Sequence, residues 1–186
     1  MTPCLETPRL RLRSPGFGDA RRLTEFLDNF AVSGNLAKVP HPYTIEDART
    51  WLSAWRADAP PRETRFVVEL RDEGAIGMVG FRDCDGEAMV GYWLGEPHWG
   101  QGLMTEALCA ALDWYFAVTD ADVVVSGVFH FNMASAALQM KFGFVETGRS
   151  MSHCLARGQE LEHIDTELTR EAYELSRPKP KRIAAQ

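Results

Sequence analysis

The sequence predicts an α+β fold: a mixed, mostly antiparallel twisted sheet of about seven strands, with a central parallel βαβ unit and helices on both faces. Three observations carry that prediction. Three β-rich runs follow one another between residues 66 and 94 with only short turns between them. Strand-like, helical and strand-like patterns then succeed each other from 87 to 129. Two amphipathic helical patterns precede the first of these runs.

In chain order, Arg-Leu-Arg-Leu-Arg at 9–13 alternates charged and apolar residues, the two-residue period of a half-buried strand. After Pro15, Gly16 and Gly18, Asp19 is a cap for a helix over 19–30, where Leu23, Phe26, Leu27 and Phe30 fall at i, i+3, i+4 and i+7. Thr44-Ile-Glu-Asp47 has the form of a capping signal, and Ala48, Trp51, Leu52 and Trp55 repeat the helical spacing over 44–57, with Pro60 and Pro61 as the stop. The runs 66–70, 75–81 and 87–94 are separated by Arg-Asp-Glu-Gly and Asp-Cys-Asp-Gly turns and read as an antiparallel meander.

Residues 103–117 are helical, with Leu103, Ala107, Leu108, Ala111, Leu112 and Tyr115 on one side. The valine-rich run 122–129 must then pair parallel to 87–94 through a crossover. A further helix spans 132–142 and stops where Gly143 supplies a left-handed cap. Closing strands at 144–153 and 160–168 flank an Ala-Arg-Gly-Gln turn. Residues 1–176 form one domain, and 177–186, with Pro-Lys-Pro-Lys-Arg, a flexible basic tail.

Composition narrows the function. The 186 residues carry 20 Lys plus Arg against 26 Asp plus Glu, a formal net charge of -6, which lacks the basic excess of a dedicated nucleic-acid binder. No apolar run approaches the ~20 residues that span a bilayer, and the first six residues are acidic where a secretion signal is basic. The expectation is a soluble cytoplasmic protein with neither nucleic-acid nor membrane partner. The four cysteines are scattered without a Cys-x-x-Cys pair and the five histidines form no His-Glu-x-x-His motif, so no metal site is expected.

The most informative segment is Trp99-Gly-Gln-Gly-Leu-Met-Thr105, a glycine-rich turn between a strand and a helix. Its glycines let backbone approach a ligand, and the free N–H groups of the first helical turn face outward at an anion. A Walker loop would end in Gly-Lys-Ser or Gly-Lys-Thr, which Gly102-Leu103-Met104 does not supply. A dinucleotide loop would have a third glycine near Thr105 and lie in the first βα unit. A tight connection without ligand is the remaining reading of the loop taken alone. The crossover, however, puts the carboxyl end of the next parallel strand beside it, followed by Asn132 and Ser135. An amide and a hydroxyl there suit a ligand with amides and phosphates, although each also serves as a helix cap.

Taken together, Gly91-Tyr-Trp-Leu94, Trp99-Gly-Gln-Gly-Leu-Met-Thr-Glu-Ala107, Asn132-x-x-Ser135 and Lys141-Phe-Gly-Phe144 resemble the GCN5-related N-acetyltransferase (GNAT) superfamily. The likeness is closest to its ribosomal-protein-alanine N-acetyltransferase-like branch. Glu6-Thr-Pro-Arg-Leu-Arg-Leu-Arg13 is similar to that branch's opening strand, and His163-Ile-Asp165 through Leu168 to its closing one. The resemblance implies the acyl-CoA N-acyltransferase fold, acetyl-CoA as acyl donor, and direct attack by a primary amine of a protein N-terminus or a small molecule. It also extends by analogy to a homodimer.

The resemblance further implies that backbone of Trp93, Leu94 and Gly95 meets the pantetheine and thioester, with Leu94 N–H as oxyanion donor. Trp99, Gly100, Gln101, Gly102, Leu103, Met104 and Thr105 would hold the pyrophosphate, while Asn132 and Ser135 would touch pantetheine and phosphate. Two departures stand out. Relatives often carry a tyrosine two residues before the Lys141 position to protonate the leaving thiolate, where this chain has Gln139. They often carry a glutamate two residues before the Gly91 position, where this chain has Met89. Glu87, His98 and His130 are then the candidate proton acceptors, each of which also reads as an ordinary surface or structural residue. Trp51, Trp55, Tyr92 and Trp93 could line the acceptor pocket or the core. A non-catalytic acyl-CoA sensor or partner-binding module, and a nucleotide-binding module, are the alternatives to an enzyme.

Overall fold

The computed structural model describes residues 2–56 and 58–178. Its sheet has eight strands: β1 (Leu5–Glu6), β2 (Leu10–Arg13), β3 (Arg65–Leu70), β4 (Gly74–Cys84), β5 (Glu87–Leu94), β6 (Val123–Phe129), β7 (Val145–Cys154) and β8 (Gln159–Thr169). They lie in the order β1-β2-β3-β4-β5-β6-β8-β7. Every neighbouring pair is antiparallel except β5 and β6. The count exceeds the expected seven because Leu5 and Glu6 turn back onto Leu12 and Arg11. A two-residue strand has too little periodicity to be seen in sequence.

The helices are α1 (Ala20–Leu27), α2 (Phe30–Ser33), α3 (Ile45–Ser53), α4 (Leu103–Val118), α5 (Met133–Phe142) and α6 (Arg170–Ser176). The helix expected over 19–30 is broken in two. Asn29 leaves the helical region at φ -84°, ψ 117°, and its side chain accepts from Ala31 N–H to start α2. The helix expected over 44–57 ends at Ser53, well before the prolines, although its capping box is present: Thr44 and Asp47 each accept from the other's backbone. Gly143 ends α5 at φ 92°, as the glycine there predicts. Helix α6 was not anticipated. Thr169 caps it by accepting from Ala172 N–H, and Tyr173 is buried beneath it. The expected tail begins differently too, since Arg177 is ion-paired to Asp113 of α4. The rest of that tail, from 179 onward, lies outside the described residues.

Two apolar clusters cover the two faces. Leu10, Phe66, Ile76, Phe81, Val90 and Leu168 pack against Leu108, Leu112 and Tyr115 of α4 and Phe142 of α5. On the other face Val67 and Met78 pack against Leu23 and Leu27 of α1 and Ala48 and Leu52 of α3. Each fully buried leucine or phenylalanine contributes about 1.5–3 kcal/mol relative to exposure. These two clusters therefore hold the sheet rigid between helices and leave its centre to function. Among the described residues no helix is long and apolar enough to cross a membrane.

Candidate active site

The parallel pair at the centre of the sheet is short. β5 and β6 are in register only at Ala88 with Val124 and Met89 with Val125, and beyond these they part. A polar clamp marks the point of separation. The Ser126 hydroxyl donates to Val90 O at 2.9 Å, Gln139 Nε2 donates to Ser126 Oγ at 2.9 Å, and the Thr166 hydroxyl donates to Gln139 Oε1 at 2.9 Å. Gln139 is 2% exposed, so both ends of its amide are committed to joining β6, β8 and α5 where β5 leaves them.

Backbone alternation decides which groups face the gap. Gly95 N–H donates to Ile76 O of β4 at 2.8 Å. In an antiparallel ladder every second residue bonds the same neighbour, so 91 and 93 also face β4, whereas Tyr92 and Leu94 turn their N–H groups toward β6. The bond from Ser126 to Val90 O confirms the phase. The Leu94 amide thus points into the gap, and its carbonyl is tied to the Trp99 indole N–H at 2.8 Å. The N–H of Gly95 is committed to β4.

At the end of the gap Gly100 and Gly102 both adopt φ 72°, the left-handed region in which a side chain is strained. Gly102 starts the 16-residue helix α4 without a side-chain cap, so first-turn N–H groups are left for an anion, each worth about 0.3–2 kcal/mol of dipole attraction. The loop is braced from outside. Arg9 donates to Gln101 O at 3.0 Å and to Glu106 Oε2 at 2.7 Å, and Thr7 donates to Glu106 Oε1 at 2.6 Å. Burial pushes the Glu106 carboxyl up, but the Thr7 hydroxyl and the Arg9 amide and guanidinium outweigh it and hold it below the usual range. Lys141 Nζ lies 3.5 Å from Thr105 Oγ1, adding a cation beside the first turn of α4.

On the opposite face of the same strands, Gly80 pairs with Gly91, and Gly127 with Asp165. Three neighbouring strands therefore present no side chain there. A Cβ on Gly91 would meet nothing within 4 Å, so the space above it is open, while over Gly127 the ring of His163 occupies the room a Cβ would need. His163 Nδ1 lies 2.9 Å from Asp165 Oδ1, and the Ser150 hydroxyl donates to the same carboxylate oxygen at 3.0 Å. The dyad fixes the imidazole and leaves Nε2 as its other edge. One cavity of about 1310 Å³ joins both faces through the gap, lined by Leu94, Gly100, Gly102 and Ser135 on one side and Gly91 and His163 on the other.

Of the residues expected at the donor site, Trp93, Leu94, Trp99, Gly100, Gly102, Leu103, Met104, Thr105, Asn132 and Ser135 all line this cavity, whereas Gly95 and Gln101 do not. Asn132 also caps α5, accepting from Ser135 N–H at 3.1 Å. His98 lines the cavity but is buried edge-on against Phe26, with Nε2 3.2 Å from Glu73 Oε1. His130 is exposed, its Nδ1 3.3 Å from Glu162 O, and lies off the cavity. Glu87 is exposed at the paired end of β5, seven residues from Leu94 and so roughly 23 Å away along the strand, and the structure does not bring it to the other groups.

Sequence reasoning passed over His163 and Asp165 as chemistry. Their i, i+2 spacing in a predicted strand, which puts both on one face, was the available signal. Tyr92 was placed only among aromatic liners, yet its hydroxyl is 2.8 Å from Ser135 Oγ at the cavity wall. Burial pushes the Tyr92 phenol up to about 12 against the opposing bonds to Ser135 and Gln139, so it is protonated at neutral pH.

Known proteins share this arrangement. Residues 9–145 match the acetyltransferase (GNAT) domain family. A prophage-derived uncharacterized N-acetyltransferase, YokL, of Bacillus subtilis is 28% identical over 145 residues, 76% of this chain and 80% of its own length. The [ribosomal protein uS5]-alanine N-acetyltransferase of Escherichia coli is 25% identical over 183 residues, 89% and 90% of the two chains. Among solved structures, spermidine N-acetyltransferase from Vibrio cholerae, in complex with CoA and spermine, superimposes with a TM-score of 0.76 at 22% identity, covering 90% of this chain and 99% of that one. The chain belongs to the GNAT acetyltransferase family, and it is an N-acetyltransferase.

Proposed function

We propose that the protein transfers the acetyl group of acetyl-CoA to a primary amine by direct attack in a ternary complex. One observation carries the reading: the opening between β5 and β6 connects a helix N-terminus and an inward-facing Leu94 amide on one side to an oriented imidazole on the other, within a single cavity. The free N–H groups at the start of α4 fit a diphosphate, and the unpaired edge of β5 at Tyr92 and Leu94 fits the amides of the pantetheine arm.

An ammonium must lose a proton before its nitrogen can attack. His163 is the group to accept it, directly or through one water, with Asp165 holding the Nδ1–H tautomer and stabilising the imidazolium. As the amine nitrogen bonds to the thioester carbon, charge grows on the carbonyl oxygen, where a donor such as Leu94 N–H supplies about 3 kcal/mol. When the C–S bond breaks, the hydroxyl of Tyr92, paired with Ser135, offers a hydrogen bond to the departing sulfur. Gln139 has no proton to give and no free edge.

Thiol release from acetyl-CoA with a panel of primary amines tests the activity. For any accepted amine, His163→Gln should lower kcat by about 100-fold and abolish the acidic limb of its pH profile, leaving acetyl-CoA affinity intact. An unchanged kcat and pH profile would remove His163 from the mechanism.

A further inference from the structure

The acceptor side holds a cation without a partner. Arg65 opens β3 directly opposite Gly80, which is itself opposite Gly91, so its side chain stands at the edge of the glycine floor. It lines the cavity and is half-buried. Arg9, Arg13 and Arg22 are each ion-paired, whereas among the described residues no carboxylate lies within ion-pair distance of Arg65 and its guanidinium makes no hydrogen bond. Its one contact is aromatic, with Cζ 5.8 Å from the Trp51 ring. Burial and the nearby charge of Arg82 hold the guanidinium below the usual arginine range, against a smaller opposing pull from Glu63.

The rest of the lining points the same way. Its other cationic side chains are Lys38 and Arg82. Its one carboxylate, Asp47, is occupied by the Thr44 amide and hydroxyl at the cap of α3. A polycationic amine would enter this side against repulsion. A half-buried guanidinium with five unbonded donors calls instead for an anion, and the planar fork stacked on Trp51 suits a carboxylate or phosphate.

We propose that the acceptor is an amine that also carries an anionic group, and that Arg65 binds this group while the amine reaches His163 across the glycine floor. The idea rests on the acetyl transfer proposed above. Arg65 and Gly91 are two strand spacings apart, roughly 10 Å, so the distance between amine and anion in the acceptor is selected too.

The test is acetyl-CoA turnover on ω-amino acids from glycine to 6-aminohexanoate, each beside its carboxamide, with O-phosphoethanolamine and spermidine included. Wild type is compared with Arg65→Gln and Arg65→Lys, and acetyl-CoA affinity is titrated for each. For the best acid, wild-type kcat/KM should exceed that of the carboxamide by about tenfold or more. The preference should reside in KM, fall toward one in Arg65→Gln, survive partly in Arg65→Lys, and leave acetyl-CoA affinity within about twofold. A better phosphate than carboxylate would identify which anion is read and supports the proposal equally. It is overturned if acid and carboxamide react alike, if spermidine is preferred, if Arg65→Gln slows both members of a pair equally, or if a protein that binds acetyl-CoA acetylates none of them. Failure of the wild type to bind acetyl-CoA would instead overturn the donor reading beneath it.

Discussion

Gly100 stands where a single side chain would decide donor binding. Its φ of 72° is one that aspartate and asparagine tolerate better than other residues, and a Cβ there meets nothing within 4 Å. Gly100→Asp should therefore fold, place a carboxylate in the phosphate cradle, and weaken acetyl-CoA binding by tenfold or more in a calorimetric titration. Gly100→Asn, of the same shape without the charge, should lose much less. Equal losses in both variants would mean that strain, not charge, is being read. At this scale the sequence was partly legible. The glycine loop, Asn132 and Ser135 announced themselves by spacing, because backbone chemistry demands glycine and short polar residues. His163 and Arg65 did not, since their significance comes from strand register: one leans over Gly127 and the other borders Gly80.

Among the elements, the start of α4 depends on a brace that belongs to the first strands. Thr7 and Arg9 fasten Glu106 in the first turn of the helix, so the loop is held by residues about a hundred positions away. The Glu106 carboxyl is held below its usual range, so its contribution to stability is present above the unfolded carboxyl value, about 4.3, and is lost as pH falls through the lower folded value. Urea midpoints measured from pH 6 down to pH 3 should accordingly fall in the wild type and change less steeply in Glu106→Gln. Parallel profiles would show that this brace carries no pH-linked stability. Helices and strands were legible where periodicity ran for two turns or more, as in α4 and the β3–β5 meander. They were misread where a local side-chain bond overrode it. Asn29 splits the first helix by capping a second, and α6 follows a strand so closely that its short pattern is hidden.

For the molecule as a whole, the two apolar clusters make a rigid sheet with one deliberate opening. The clamp of Ser126, Gln139 and Thr166 shows why the family's tyrosine position can hold an amide here: Gln139 closes the joint at which β5 and β6 separate, and the hydroxyls of Tyr92 and Ser135 face the opening instead. The sequence indicated a parallel unit and a crossover. How far the two strands pair before they part depends on tertiary contacts among β6, β8 and α5, which no local pattern encodes.

The most direct test of the donor site is a crystal structure of the protein with acetyl-CoA. The diphosphate should accept hydrogen bonds from backbone N–H groups at the start of α4, and the thioester oxygen should lie within hydrogen-bond distance of Leu94 N–H, with the arm threaded between β5 and β6. A diphosphate bound elsewhere, or an arm lying outside that opening, would contradict the account.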